Sequence, residues 1–208
     1  MGVNIFSLEL ERIEERLRMD PRIKHAMVKR RLPGSILVEV KEKVPVLWMH
    51  LPPGSPGFGS CGFYGLSIDQ EIIPLDQEDL VNDLAIVSGI EIEPGDGQPN
   101  QPAEPYRVWS NLRAEKALKF YKTVNGIDPT SVELLAEINL EDLSNLTLYL
   151  LPGTKVMLGQ GDFQRKWRRL KTVLGGEERI AEIICLDLRF DDQVVLTRSS
   201  KAASLLGH

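Results

Sequence analysis

An α+β chain with a mainly antiparallel sheet and packed helices is what the sequence predicts. Three observations lead there. Runs such as Leu146, Leu148 and Leu150, set between Thr147 and Tyr149, alternate with the two-residue period of a half-buried strand. Two or three segments instead carry apolar residues at helical spacing, as Phe163, Trp167, Leu170 and Leu174 do. Strands, helices and hairpins succeed one another without the regular alternation of a doubly wound fold.

Ser7 is placed to cap a first helix over residues 8 to 19. Arg16 and Arg18 suit its negative end, Pro21 stops it, and Leu10, Ile13 and Leu17 share the face that packs on a sheet. "VKRRLPGSILVEVKEKVPV" (28–46) predicts a hairpin with Ala26 and Val28 on one face of its first strand and Ile36, Val38 and Val40 on one face of its second. Pro33-Gly34 suits a type II turn. Lys29, Arg31, Glu39, Lys41 and Lys43 mix both signs on the opposite face, which describes a solvated sheet and not a phosphate-binding ribbon.

"LPPGSPGFGSCG" (51–62) breaks the periodicity, so residues 48–62 are assigned to a Pro/Gly-rich linker. Strand-like residues return in "FYGLSIDQEIIPL" (63–75), with a turn at Asp69-Gln70. A second polar, Pro-rich loop occupies 93–105. Ser110 is expected to cap a helix through Val124, with Ala114, Ala117, Leu118, Tyr121 and Val124 inward and Gly126 at its end. Pro152-Gly153 then turns the chain between strands 146–150 and 154–159. Asp162 caps the next helix, and Gly175-Gly176 end it. Ile184, Leu186, Leu188 and Phe190 alternate on one long strand. "QVVLTR" (193–198) returns after a tight turn at Asp191-Asp192, and 199–208 form a loose tail.

With 208 residues, 42% hydrophobic and 26% charged, the chain can bury a core of one large or two small domains. A net charge of −5 argues against a nucleic-acid binder as a whole. No run of about 18 apolar residues and no secretory signal are present. Cys61 and Cys185 match no zinc spacing, which leaves a disulfide or two free thiols open.

The chemical motifs are weak. Gly159-x-Gly161 lies between a strand and a helix, but Gln164 stands where a dinucleotide fingerprint needs a third glycine. "QRKWRRLK" (164–171) crowds five cations around Trp167, with Trp167 read as core and the cations as a solvated or partner-facing surface. His25, His50 and His208 are scattered, and Glu141-Asp142 and Asp191-Asp192 sit at turns. The residues propose no catalytic group, metal site or cofactor, and the chain is read as a binding protein.

"NIFSLELERIEERLRMDPRIKHAMVKRRLPGSILVEVKEKVPV" (4–46) resembles the later part of a POTRA domain. It has an Asn-Ile-Phe start, an amphipathic helix, Ala-x-Val-x-Arg, Leu-Pro-Gly, and Val-x-Val-x-Glu-x-x-Pro-Val. "GLSIDQEIIPL", "AIVSGI" (85–90), "LTLYLLPGTKVMLGQGDF" (146–163) and "IICLDLRFDDQVVLTR" (183–198) are similar to segments of the β-domain that comes after the POTRA unit in the bacterial FtsQ (DivIB) family. The resemblance implies a partial POTRA domain over 1–47, lacking its first strand and helix and the membrane anchor. A larger β-domain would occupy 63–198. It implies a non-enzymatic divisome scaffold on the periplasmic side of the inner membrane at the septum. Such a scaffold binds FtsB and FtsL (DivIC-type) proteins and helps control septal peptidoglycan synthesis. The alternative is a POTRA-containing outer-membrane assembly or secretion component that receives unfolded strands, although the sequence carries no barrel pattern.

"QVVLTR" is the last strand-like run, so it is expected at a sheet edge, where Val194, Val195 and Leu196 lack a protecting charge, proline or bulge. Either the tail folds back over this edge or a partner adds a strand to it. The resemblance favours the second, with FtsB beside the last strand. The expected partner-binding residues are Phe190, Gln193, Val194, Val195, Leu196, Thr197 and Arg198.

Overall fold

The structure is a computed structural model and describes residues 4–51, 62–74, 83–91, 111–176 and 182–199. The loops at 52–61 and 93–105, Ser110, Cys61 and the tail from residue 200 lie outside these.

Helix α1 (Leu10–Arg18) begins later than expected. Ser7 does not cap it, because Ile5–Ser7 form a separate 3-10 turn whose own cap is Asn4, and the Ser7 hydroxyl donates back to the Asn4 carbonyl. Strands β1 (Ile23–Arg31) and β2 (Ser35–Glu42) pair in an antiparallel two-stranded sheet with Ala26 opposite Val40 and Val28 opposite Val38. Lys43, expected on the solvated face, lies past β2 and is nearly buried beside Glu71. The apolar residues share the expected face, yet only Ala26 and Val28 are buried; Val38 and Val40 remain nearly half exposed. The reason is that α1 lies along β1. Glu14 accepts the Val28 N–H at 2.8 Å and Arg18 donates to the Ala26 carbonyl at 3.4 Å, so α1 side chains occupy the outer edge of β1. The connecting turn is not type II. Its Leu32–Pro33 peptide is cis and Gly34 has no positive φ, which makes it a cis-proline turn.

The remaining strands form one nine-stranded sheet in the order β11-β10-β9-β8-β7-β6-β3-β4-β5. Its members are β3 (Pro45–His50), β4 (Phe63–Ser67), β5 (Ile72–Pro74), β6 (Ile86–Ser88), β7 (Leu135–Asn139), β8 (Leu146–Leu150), β9 (Thr154–Gly159), β10 (Ile183–Asp187) and β11 (Val195–Arg198). Five neighbouring pairs are antiparallel and three parallel. The sequence points to none of the three parallel pairs, two of which are bridged by helices. Helix α2 (Leu112–Ile127) connects β6 to β7, and α3 (Phe163–Gly176) connects β9 to β10, each as a β-α-β crossover.

Strand β3 corrects the linker assignment at residues 48–51. It sits between β4 and β6, inside the sheet, with Trp48 and Met49 buried and Leu51 buried just beyond it. An apolar run without alternation is what a strand covered on both faces requires.

Helices α2 and α3 cover one sheet face. Phe120 meets Phe163 and Trp167 edge-on, with ring centres 5.5 and 5.8 Å apart. Tyr121, expected inward, is only half-buried, and the buried aromatic is Phe120, because α2 packs on α3 as well as on the sheet. The α2 cap is Asn111, whose side chain accepts from the Arg113 and Ala114 N–H groups, and the helix runs through Gly126 to Ile127. Helix α3 matches its sequence expectation closely: Asp162 caps it through the Arg165 N–H at 3.0 Å, and Phe163, Trp167 and Leu170 are buried.

Candidate protein-interaction site

Strand β11 ends the sheet and, among the described residues, pairs only with β10. The register runs Asp187 opposite Val195, Leu186 opposite Leu196 and Cys185 opposite Thr197, and it shifts before Ile183 opposite Arg198. One extra residue on β10, Ile184, absorbs that shift. This bulge reverses the expected alternation: Ile183 is buried and Ile184 is half exposed. The Thr154 hydroxyl donates to the Ile183 carbonyl at 2.9 Å and holds the bulge against β9.

The bulge lies on β10, so the two-residue period of β11 is unbroken. The Ser199 N–H donates to the Glu182 carbonyl at 2.8 Å, toward β10. By that period the N–H groups of Thr197 and Val195 also face β10. That of Leu196 faces away, toward the side on which no described strand pairs. Side chains divide in the same way. Val194 and Leu196 are half-buried against the core, while Val195, Thr197 and Arg198 are exposed.

Helix α3 shapes the turn before β11. The Arg169 guanidinium donates to the carbonyls of Phe190 at 2.9 Å and Gln193 at 3.1 Å. Arg165 lies 3.9 Å from Asp191 across the same turn. Phe190 is nearly half exposed on it, beside exposed Gln193. The basic helix is thus not a continuous cationic surface. Lys166, expected to face outward, is buried and donates to the Leu158 and Gln160 carbonyls at 2.6 and 2.5 Å, with burial pushing its ammonium below the usual lysine range. Lys171 is hydrogen-bonded to Asp128. Of the five cations in this helix, only Arg168 is exposed without an acid or carbonyl partner for its side chain among the described residues.

Gly159 and Gly161 belong to the turn that starts α3. Lys166 holds the Leu158 and Gln160 carbonyls there, and the Asp162 carboxylate already caps the helix. Gly159 has a φ of +66°, and a Cβ on it would approach the Arg189 side chain to 3.0 Å. Arg189 chelates Asp187 through bonds of 2.6 to 3.1 Å, which holds that carboxyl below its ordinary range. Cys185 is a free, half-buried thiol on β10. Among the described residues no three His, Cys, Asp or Glu side chains converge as metal ligands.

The geometry therefore offers an ordered sheet edge with a shaped turn beside it. Arg169, Arg165 and the bulged Ile184 were not among the expected site residues. A basic residue one turn after Arg165 was visible in the sequence, but its target carbonyls were not.

Known proteins resemble this chain along most of its length, although the C-terminal family model stops short of residues 190–198. The family model described as POTRA domain, FtsQ-type, matches residues 1–43. The model described as cell division protein FtsQ/DivIB, C-terminal, matches residues 64–189. Among curated relatives, a protein named cell division protein FtsQ from Syntrophotalea carbinolica is 25% identical over 174 residues, which cover 83% of this chain and 55% of that protein. Its namesake from Myxococcus fulvus is 29% identical over 215 aligned positions, covering 98% of this chain and 66% of the relative. That of Rhodothermus marinus is 27% identical, covering 100% and 73%. The chain thus spans between about half and two thirds of the length of the first two relatives.

Proposed function

We propose a function from one premise: the chain belongs to the FtsQ/DivIB family of cell division proteins. On that premise it is a non-enzymatic scaffold of the divisome. It binds FtsB- and FtsL-type membrane proteins and so helps control septal peptidoglycan synthesis. It works on the extracytoplasmic side of the inner membrane at the septum; no described helix is long and apolar enough to cross a membrane.

The observation that carries the reading is the position of β11 at the end of the sheet, with the Leu196 N–H directed outward and Val195 and Thr197 exposed. A partner strand added there would draw affinity from backbone hydrogen bonds and specificity from alternate side chains. Phe190, Gln193, Val194, Val195, Leu196, Thr197 and Arg198 form or border this surface. Val194 and Leu196 anchor the edge to the core, and the others meet the partner.

Reception of unfolded strands by the POTRA-like unit is the less favoured reading. On β1 the Val28 N–H and Ala26 carbonyl of the outer edge are already bonded to Glu14 and Arg18. We also propose two units, a POTRA-like one and a β-domain, meeting at Lys43–Val44 and not at residue 47.

Capture assays with the immobilised chain test the function. The extracytoplasmic segments of FtsB and FtsL from the same bacterium are expected to bind. Capture of unfolded outer-membrane proteins in their place, or robust peptidoglycan turnover by the chain, would contradict the proposal.

A further inference from the structure

We propose that two lysine–carboxylate pairs converging on the β4–β5 turn, Lys24–Asp69 and Lys43–Glu71, clamp the α1–β1–β2 unit to the nine-stranded sheet and set the angle between them. The inference does not depend on what binds β11.

The covalent connection is short but offers little guidance. β2 ends at Glu42 and β3 begins at Pro45, so only Lys43 and Val44 join the two sheets. Val44 is 70% exposed and packs on little. Among the described residues the two sheets share no apolar core. The buried hydrophobics of the small unit, Ala26 and Val28, stand outside the cluster that fills the large sheet. The side-chain ion pairs that span the joint among the described residues are polar grips able to orient the small unit.

Those contacts are built into one turn. The pairing of Pro45 with Ser67 brings the end of β4 beside the connection. The Ser67 hydroxyl accepts the N–H groups of Asp69 and Glu71 at 3.2 and 3.0 Å, and Gln70 lies at a φ of +63°, so the turn projects both carboxylates in a fixed direction. Lys24, on β1, reaches Asp69 at 2.7 Å. Lys43, just past β2, reaches Glu71 at 3.2 Å, and its N–H donates to the Arg22 carbonyl at 2.8 Å, which keeps it joined to the base of β1. One pair thus grips each side of the hairpin, and two separated grips resist rotation as well as displacement.

The pairs are not equivalent. Lys24 and Asp69 are about half exposed, whereas the Lys43 and Glu71 side chains are only 10% and 21% exposed. The second carboxylate oxygen of Glu71 is buried with no hydrogen-bond partner among the described residues. Lys43 is therefore the compensating charge for a carboxylate withdrawn from water, and its loss would leave that charge unpaired. Lys24 holds the Asp69 carboxyl below its ordinary range, with Lys122 of α2 adding to the same field. Salt weakens the outer pair more than the inner one, because mobile ions reach exposed charges and hardly reach buried ones.

The test measures the angle as a distance between spin labels at Glu15→Cys on α1 and Thr172→Cys on α3, with Cys61 and Cys185 changed to Ser. The otherwise native chain is expected to give one narrow distance peak. Asp69→Lys, which repels Lys24, is expected to lose that peak, and the exchange Lys24→Asp with Asp69→Lys to restore it. Asp69→Asn with Glu71→Gln is expected to broaden the distribution. An unchanged narrow peak in Asp69→Lys and in the double neutral variant would overturn the proposal. So would a peak that the charge exchange fails to restore.

Discussion

Arg169 on α3 donates its guanidinium N–H to the main-chain carbonyl of Phe190 at 2.9 Å, and through it the helix grips the turn that delivers β11 to the sheet edge. The same side chain reaches Gln193. Arg169→Ala removes two charge-assisted bonds from a partly exposed turn and is expected to cost about 1–2 kcal/mol of stability by urea titration. Arg169→Lys should recover only part, because an ammonium cannot span both carbonyls as the guanidinium fork does. Partner affinity is expected to fall in step with the loss of turn order, read from the exchange of the 190–193 amides.

The parity of β11 predicts a split in a proline scan. Val195 and Thr197 have N–H groups toward β10, so proline at either position breaks the ladder. Proline at 194 or 196 removes an outward group. The inward pair is expected to be less stable than the outward pair by about 1–3 kcal/mol, and the outward pair to lose partner binding while remaining folded. Equal destabilisation at all four positions, each measured against alanine at the same site so that the lost packing of Val194 and Leu196 cancels, would show that β11 is internal.

Trp167 is expected to be structural. It is 1% exposed, with Phe120 edge-on to its ring. Trp167→Ala should cost about 3–5 kcal/mol in thermal or denaturant unfolding. Arg165→Glu with Arg168→Glu should cost under about 1 kcal/mol, since the Arg165–Asp191 contact is long and exposed. Tight, salt-dependent RNA binding that vanished in this double variant would contradict the account of the helix.

Asp128 joins the end of α2 to α3. Bonds from Lys171, Ser131 and Thr130 hold its carboxyl far below the ordinary range. A depressed folded pKa contributes stability that is present above the unfolded value, about 3.9. That contribution is lost as pH falls through the folded one. The chain should therefore weaken below about pH 4, and Asp128→Asn should show a shallower loss over that acid range. Equal slopes of stability against pH in the two proteins would remove Asp128 from the account.

Much of this architecture is legible in the sequence wherever one residue's surroundings are local. The Asp162 cap and the Phe163, Trp167 and Leu170 stripe depend on spacing along one helix, and so does the alternation of β8. What escapes is tertiary. Ile184 looks inward by alternation, but the Thr154 hydroxyl and parallel pairing with β9 fix a bulge that turns it out. Trp48 and Met49 precede a Pro/Gly-rich stretch and look like its beginning; only their place between β4 and β6 makes them core. The edge position of "QVVLTR" can be inferred from its being the last strand-like run. Its parity cannot, because that depends on the bond from Ser199 to Glu182.

The central claim is that a division partner adds a strand to β11. Its most direct measurement is residue-resolved amide exchange of the chain with and without the extracytoplasmic FtsB segment of the same bacterium. The account predicts new protection at Leu196, whose N–H points outward, with little change at Val195 and Thr197, which are already bonded to β10. Protection confined to β1 and β2, with exchange at Leu196 unchanged by a saturating partner, would contradict it.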